Sequence, residues 1–160
     1  TYIYSRFIII IQFLINNKIS IPTPTSDENQ QNQLNDQLNQ SKQQKTVDII
    51  NVDKNQLPEK FPEDIPIEEN AEITLNYNAI NLNNKFQSTR EFISKKTQEE
   101  NFKFYQKILK EKGWNITQTI EDSNLNHKVI FAVKENNELN IRIYSDGDQI
   151  KIAISNETNL

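Results

Sequence analysis

The sequence predicts an α+β fold, a two-layer sandwich in which one long helix packs a mainly antiparallel sheet of about five to six strands, in the order β-β-α-β-β-β-β. Several C-terminal segments alternate apolar and polar residues, which is the pattern of a strand with one buried face. The window "KFYQKILKEKGWNI" has helical spacing instead and ends in Gly-Trp. Connectors such as "ENNE" and "SDGD" are short and turn-rich, so they favour antiparallel neighbours.

The first two predicted strands follow Ala71. Ile73, Leu75 and Tyr77 alternate with polar residues, so these three side chains are expected on the buried face. The stretch "NLNNK" is typical of a turn, and "KFQSTREFI" predicts the returning strand.

The predicted helix starts at a capping box and ends at a glycine. Thr97 and Glu100 have the spacing at which each side chain bonds the other's backbone amide. The helix should run to about Lys112, with Gly113 as its left-handed terminator. On a helical wheel the core side holds Asn101, Phe102, Tyr105, Ile108 and Leu109, with Phe104 at its margin. Trp114 then begins the next strand as a predicted core residue.

Four strands are predicted after the helix. Their alternating apolar positions are Trp114, Ile116 and Ile120, then Val129, Phe131 and Val133, then Leu139, Ile141 and Ile143, and last Ile150, Ile152 and Ile154. No later strand follows the last one, so we expect it to lie at a sheet edge, where another chain's strand can add. This candidate interaction edge comprises Gln149, Ile150, Lys151, Ile152, Ala153, Ile154 and Ser155.

Three segments are predicted along the chain: a signal or membrane anchor (1–21), a Gln/Asn-rich disordered linker (22–57) and the α+β domain with an extended Pro-rich arm (58–160). Arg6 precedes an apolar run from Phe7 to Ile15, which has the length of a signal-peptide core. An alternative interpretation makes this run a buried element of the domain. The polar tract after it buries too little apolar surface to offset the entropy of ordering.

The composition excludes several kinds of site. The net charge of −4 gives no general attraction to nucleic acid, and without cysteine there is no thiolate metal site or cysteine nucleophile. His127 has no recognisable partner and is expected to be an ordinary strand-end residue. "SDGDQ" lacks the further ligands of a calcium loop, so a hairpin turn is expected there. No catalytic residue, metal site or cofactor is predicted.

The segments "FPEDIPIEENAEI", "FQST" and "FYQKILKEKGW" together resemble a group of small bacterial exported or lipoprotein-type domains. These domains share a P-x-D-I-P-I arm and an F-Y-x3-L-x3-G-W helix. The resemblance implies an extracytoplasmic setting and no catalytic residue. It marks as fold-defining Pro62, Asp64, Ile65, Pro66, Phe104, Tyr105, Leu109, Gly113 and Trp114. The chain departs from it in lacking a lipobox cysteine and in a longer arm.

The predicted function is that of a non-catalytic, membrane-tethered or exported extracytoplasmic domain, binding or structural in the bacterial cell envelope. Its expected partners are the membrane, through the N-terminus, and an envelope protein, with no nucleic acid. Two alternatives stay open: a small enzyme whose site is not visible in sequence, and a nucleic-acid binder that uses Lys103, Lys107 and Lys110.

Overall fold

The computed structural model describes residues 47–80, 84–122 and 126–160, which form one seven-stranded antiparallel sheet and one helix. The elements are β1 (Asp48–Asn51), β2 (Glu72–Ile80), β3 (Lys85–Ser94), α1 (Gln98–Glu111), β4 (Asn115–Asp122), β5 (His127–Lys134), β6 (Asn137–Asp146) and β7 (Gln149–Asn159). The α+β class is confirmed. The predicted element order is wrong, because it omits β1.

β1 lies within the segment that was predicted as a disordered linker. It pairs antiparallel with β2, from Asp48 opposite Ile80 to Asn51 opposite Tyr77, so the sheet supplies backbone partners that the local sequence does not reveal. The rest of that linker up to residue 46, and the predicted anchor, lie outside the described residues.

The last strand of the chain is not an edge. The sheet order is β1-β2-β3-β7-β6-β5-β4, so β7 lies between β3 and β6. Both of its neighbours pair with it along most of its length, for example Ile154 with Arg90 on one side and with Ile141 on the other. The prediction of an interaction edge at Gln149, Ile150, Lys151, Ile152, Ala153, Ile154 and Ser155 is therefore wrong, because their backbone groups are already paired.

A bulge in β2 changes which side chains face the core. The register jumps from Ile73 opposite Phe92 to Leu75 opposite Glu91, which leaves Thr74 as an extra residue. Beyond the bulge every side chain points to the face opposite to the predicted one. Leu75 is consequently 47% exposed, whereas Asn76 and Asn78 are buried. The predicted burial of Leu75 alongside Ile73 is wrong for this reason.

The helix matches its prediction closely. Thr97 accepts from the Glu100 amide and the Glu100 side chain accepts from the Thr97 amide, which completes the capping box. Gly113 has φ +78°, the left-handed conformation that a glycine adopts without strain. The buried residues of α1 are Asn101, Phe102, Tyr105 and Leu109.

Two different structures cover one face of the sheet. α1 lies against β4, β5 and β6. The connection from β1 to β2, residues 52–71, is called the arm here, and its backbone accepts hydrogen bonds from side chains of β2, β3 and β7. The arm was predicted to be extended, but it folds as successive turns. The amides of Phe61, Ile65 and Ala71 each donate to the carbonyl three residues back. These short-range bonds give backbone groups of the arm partners without a neighbouring strand.

Candidate functional site

The residues that the resemblance marks as fold-defining meet where the arm crosses the end of α1. Tyr105 Oη donates to the Pro66 carbonyl at 3.0 Å, and Trp114 Nε1 donates to Asp64 Oδ2 at 3.1 Å. Lys134 Nζ also donates to Asp64 Oδ2, at 2.7 Å. Trp114 is only 4% exposed, so it is a core residue, as predicted. These contacts hold the second half of the arm to the helix.

Asp64 is charged in this arrangement. Partial burial by itself raises its pKa, but the hydrogen bonds from Lys134 and Trp114 outweigh that effect and lower the pKa below its ordinary value. The Asp64 carboxylate therefore links the arm to Trp114, just after α1, and to Lys134, at the end of β5.

The remaining fold-defining residues surround this contact. Phe104 packs edge-on against Tyr105 with 5.1 Å between ring centroids, and Leu109 is fully buried, its carbonyl accepting from the Trp114 amide at 2.8 Å. Ile65 is buried in the same core cluster, and the carbonyl of Pro62 accepts from the Ile65 amide at 3.2 Å. Their roles are those of packing and backbone geometry.

A cleft of about 500 Å³ opens along the arm, above the start of β2 and the middle of β3. Its apolar lining is Leu57, Pro62, Ile65, Pro66, Ile67, Ala71 and Ile73, and its polar lining is Lys54, Asn55, Glu63, Glu68, Asn70 and Arg90. An apolar wall with a few convergent polar groups is the usual character of a small-molecule site. Pro62 and Pro66, marked by the resemblance for their place in the fold, are also part of this wall.

Arg90 is the most unusual residue of the cleft. It lies in the middle of β3 and is 9% exposed. Its guanidinium donates to the carbonyls of Lys54 at 2.7 Å and Gln56 at 3.1 Å. Its Nε is buried without a hydrogen-bond partner, and no carboxylate lies within ion-pair distance of it among the described residues. Burial lowers the pKa of the guanidinium from its ordinary value.

Asn76, directly opposite Arg90 on β2, holds the same part of the arm. Its Nδ2 lies within hydrogen-bond distance of the Asp53 carbonyl at 2.6 Å and the Gln56 carbonyl at 2.9 Å. Neither Arg90 nor Asn76 was selected from the sequence. Asn76 reaches the covered face only because of the β2 bulge. Arg90 lies on the same face as the buried Phe92, but the arm carbonyls that it bonds are distant in sequence. The arginine in the predicted strand "STREFI", two residues before Phe92, was the one available signal.

The other residues weighed in the sequence lie at ordinary positions. His127 is the first residue of β5, and burial, followed by the nearby Arg142 charge, lowers its pKa. Lys103 pairs with Glu99 and Lys107 with Glu111, each one helical turn away. Gly147 forms the turn between β6 and β7 with φ +61°.

The true edges of the sheet are β1 and β4. Exposed large apolar side chains gather at the β1 end: Ile50 is 65% exposed, and Ile49, Leu75 and Ile80 are also exposed. The outer side of β1 pairs with no strand among the described residues.

Comparisons with known proteins give no relative: no family model, no curated protein and no solved structure matches the chain. In the part of the chain that the structure describes, no helix combines the length and the apolar character needed to cross a membrane. The same residues contain no group of three or more acidic, histidine or cysteine side chains arranged to hold a metal ion.

Proposed function

We propose that this protein is a non-catalytic binding domain that acts outside the cytoplasm, in the cell envelope, and that the cleft along its arm is its ligand site. The observation that carries the binding role is the cleft itself, which is lined by an apolar wall and by a buried arginine whose Nε has no hydrogen-bond partner. A group that only stabilises the fold is normally satisfied by its own chain.

The proposed location rests on the sequence. An apolar run from Phe7 to Ile15 follows Arg6, and a long polar tract separates it from the sheet. The similarity of the arm and helix to exported bacterial domains supports the same setting. Cell fractionation of the full-length chain tests it. We expect the protein in the membrane or exported fraction, and recovery in the cytoplasmic fraction would contradict the proposed location without affecting the cleft.

The ligand role is tested with three probes of equal chain length: 1-octanol, octanoate and octylammonium. Backbone amide NMR spectra of the full chain are recorded during titration with each probe. We expect at least one probe to shift the amides of Leu57 and Ile73 in a saturable way, because both line the cleft.

Ala71→Phe, which places a ring in the cleft, should abolish those shifts. Thr119→Phe is the matched control, because it adds the same ring to an exposed position of β4. If none of the three probes moves these amides, the ligand role is wrong.

The exposed apolar side chains at β1 favour a second candidate function, strand addition by another copy of the chain. An antiparallel pair of β1 strands about a two-fold axis would place Ile49 opposite the partner copy's residue 50. Sedimentation equilibrium should then show a dimer that Ile50→Lys dissociates. A protein that stays monomeric at all concentrations would rule this candidate out.

The nucleic-acid alternative is not part of the proposal, since Lys103 and Lys107 are paired with glutamates on the helix surface.

A further inference from the structure

The chemistry of the cleft indicates which kind of ligand it takes, and this inference rests on the proposed binding role. It starts from the donors of Arg90. A guanidinium carries five N–H groups in a fixed plane, and the bonds to the Lys54 and Gln56 carbonyls use one on each terminal nitrogen. Nε–H, buried and without a partner, remains on the edge that a carboxylate normally grips in a two-point contact.

The lack of an ion-pair partner for Arg90 also favours an anion. A buried cation is stable only when it is paired or fully hydrogen-bonded. Of the two acids that line the cleft, Glu68 is already bonded to its surroundings, accepting from Ser94 Oγ at 2.7 Å and from the Lys95 amide at 3.3 Å. Neither Glu63 nor Glu68 forms an ion pair with Arg90 within the described residues.

The rest of the lining selects among anions. Glu63 and Glu68 share the cleft with Arg90, so a doubly charged phosphate meets more repulsion than a singly charged carboxylate. Leu57, Ile67 and Ile73 present apolar surface that a polar anion such as acetate would leave unused. A volume of about 500 Å³ suits a small molecule rather than a folded partner.

We propose that the cleft binds a small monocarboxylic acid with an apolar tail, its carboxylate on the Nε edge of Arg90 and its tail along Leu57, Ile67 and Ile73. Octanoate is the probe for this class. The competing interpretation makes Arg90 only an anchor for the arm, since it bonds two arm carbonyls in either case.

The first measurement follows the side-chain Nε–Hε signal of Arg90 by NMR in the full chain. Octanoate should shift this signal saturably, and its affinity should exceed that of 1-octanol by about tenfold or more, as expected for a charged hydrogen-bonded contact. Octyl phosphate should bind more weakly than octanoate. Arg142 provides an internal reference, because it lies near the Tyr144 ring and its signal should not move.

Variants separate anchoring from binding. Arg90→Lys keeps the positive charge and loses Nε, and we expect it to bind octanoate about tenfold or more weakly than the wild type. Arg142→Lys is the matched control and should bind as the wild type does. Amide spectra of both variants show whether the fold is retained, and the wild-type titration stands even if Arg90→Lys does not fold.

The possible outcomes are distinct. Equal binding of octanoate and 1-octanol overturns the carboxylate inference but leaves the proposed ligand role intact. Tighter binding of octyl phosphate assigns the site to another class of anion and also overturns it. A shift of the cleft amides without a shift of Arg90 Nε–Hε places the carboxylate elsewhere. If no probe binds, the proposed ligand role fails and the inference fails with it.

Discussion

The two halves of the covered sheet face differ in what they bury. Beneath α1 the core positions of the central strands are apolar, for example Ile130, Ile141 and Ile143, all fully buried. Beneath the arm, β2, β3 and β7 present polar residues instead: Asn76, Asn78, Ser88, Arg90 and Asn156.

This difference suggests that the helix half serves mainly stability and the arm half serves binding. Ser88 Oγ, Arg90 Nε and one oxygen each of Asn76 and Asn156 are buried without a hydrogen-bond partner in the described chain. An unsatisfied buried polar group costs about 1 to 3 kcal/mol, against a total stability of about 5 to 15 kcal/mol for a domain. The helix half avoids that cost and the arm half bears it, which is typical of a site kept for binding.

The largest effect is expected in the helix half. Trp114→Ala removes a 4% exposed indole that packs between α1 and the sheet, and it should lower the free energy of unfolding by about 3 to 5 kcal/mol, measured by urea denaturation. Ile50→Ala, at a 65% exposed position, is the control and should change it by less than about 0.5 kcal/mol. A loss below about 1 kcal/mol for Trp114→Ala would mean that the helix half is not the main source of stability.

The junction of the two halves should depend on pH. Asp64→Asn weakens the bonds from Trp114 and Lys134 and should cost about 1.5 to 3 kcal/mol at pH 7. The folded-state pKa of Asp64 is lowered, so its stabilisation is complete above the ordinary aspartate pKa of about 4 and is lost as the pH falls through the folded value. The stability gap between wild type and variant should therefore close below about pH 4. A gap of constant size down to pH 2 would show that the charge of Asp64 does not matter.

In the arm half a polar substitution should act locally. Asn76→Ala removes the bonds to the Asp53 and Gln56 carbonyls, with an expected loss of about 1 to 2 kcal/mol and faster amide hydrogen exchange in residues 53–56. Asn78→Ala is the matched control, on the same face of β2 and without a bond to the arm among the described residues. If both variants speed exchange equally, Asn76 does not hold the arm.

The smallest effect concerns the helix start. Thr97→Ala removes the oxygen that accepts from the Glu100 amide and should cost about 1 kcal/mol in thermal or urea unfolding. Thr119→Ala, at an exposed position of β4, should be close to neutral. An equal loss in both would show that the cap contributes nothing specific.

The helix half could be predicted from sequence because its signals are local. The Thr97–Glu100 spacing, the glycine at 113 and the apolar side of α1 all depend on residues within a few positions of one another. The alternation of β6 is likewise visible without knowledge of the strands beside it. In β5 the prediction of Phe131 and Val133 as alternating core positions is wrong, because Ile130 and Ala132 face the core instead.

The arm half could not be predicted, because its arrangement depends on distant pairings. The β2 bulge reverses Leu75 and Asn76, and no residue near Thr74 signals it. The insertion of β7 between β3 and β6 pairs residues that are distant in sequence, such as Arg90 and Ile154. The arm carbonyls that Arg90 bonds, those of Lys54 and Gln56, are also distant in sequence, so the candidate site appears only in the folded structure.

Native-state hydrogen exchange, with and without saturating octanoate, tests the contrast between the two halves most directly. Without octanoate, the amides of Phe61, Ile65 and Ala71 in the arm should exchange through local opening, at lower free energies than those of Ile141 and Ile152 in the inner strands. Octanoate should slow exchange in the arm and in the inner strands by the same factor, because local opening of the arm and global unfolding both release the ligand. Arm amides that exchange only by global unfolding, or that octanoate does not slow, would contradict the account.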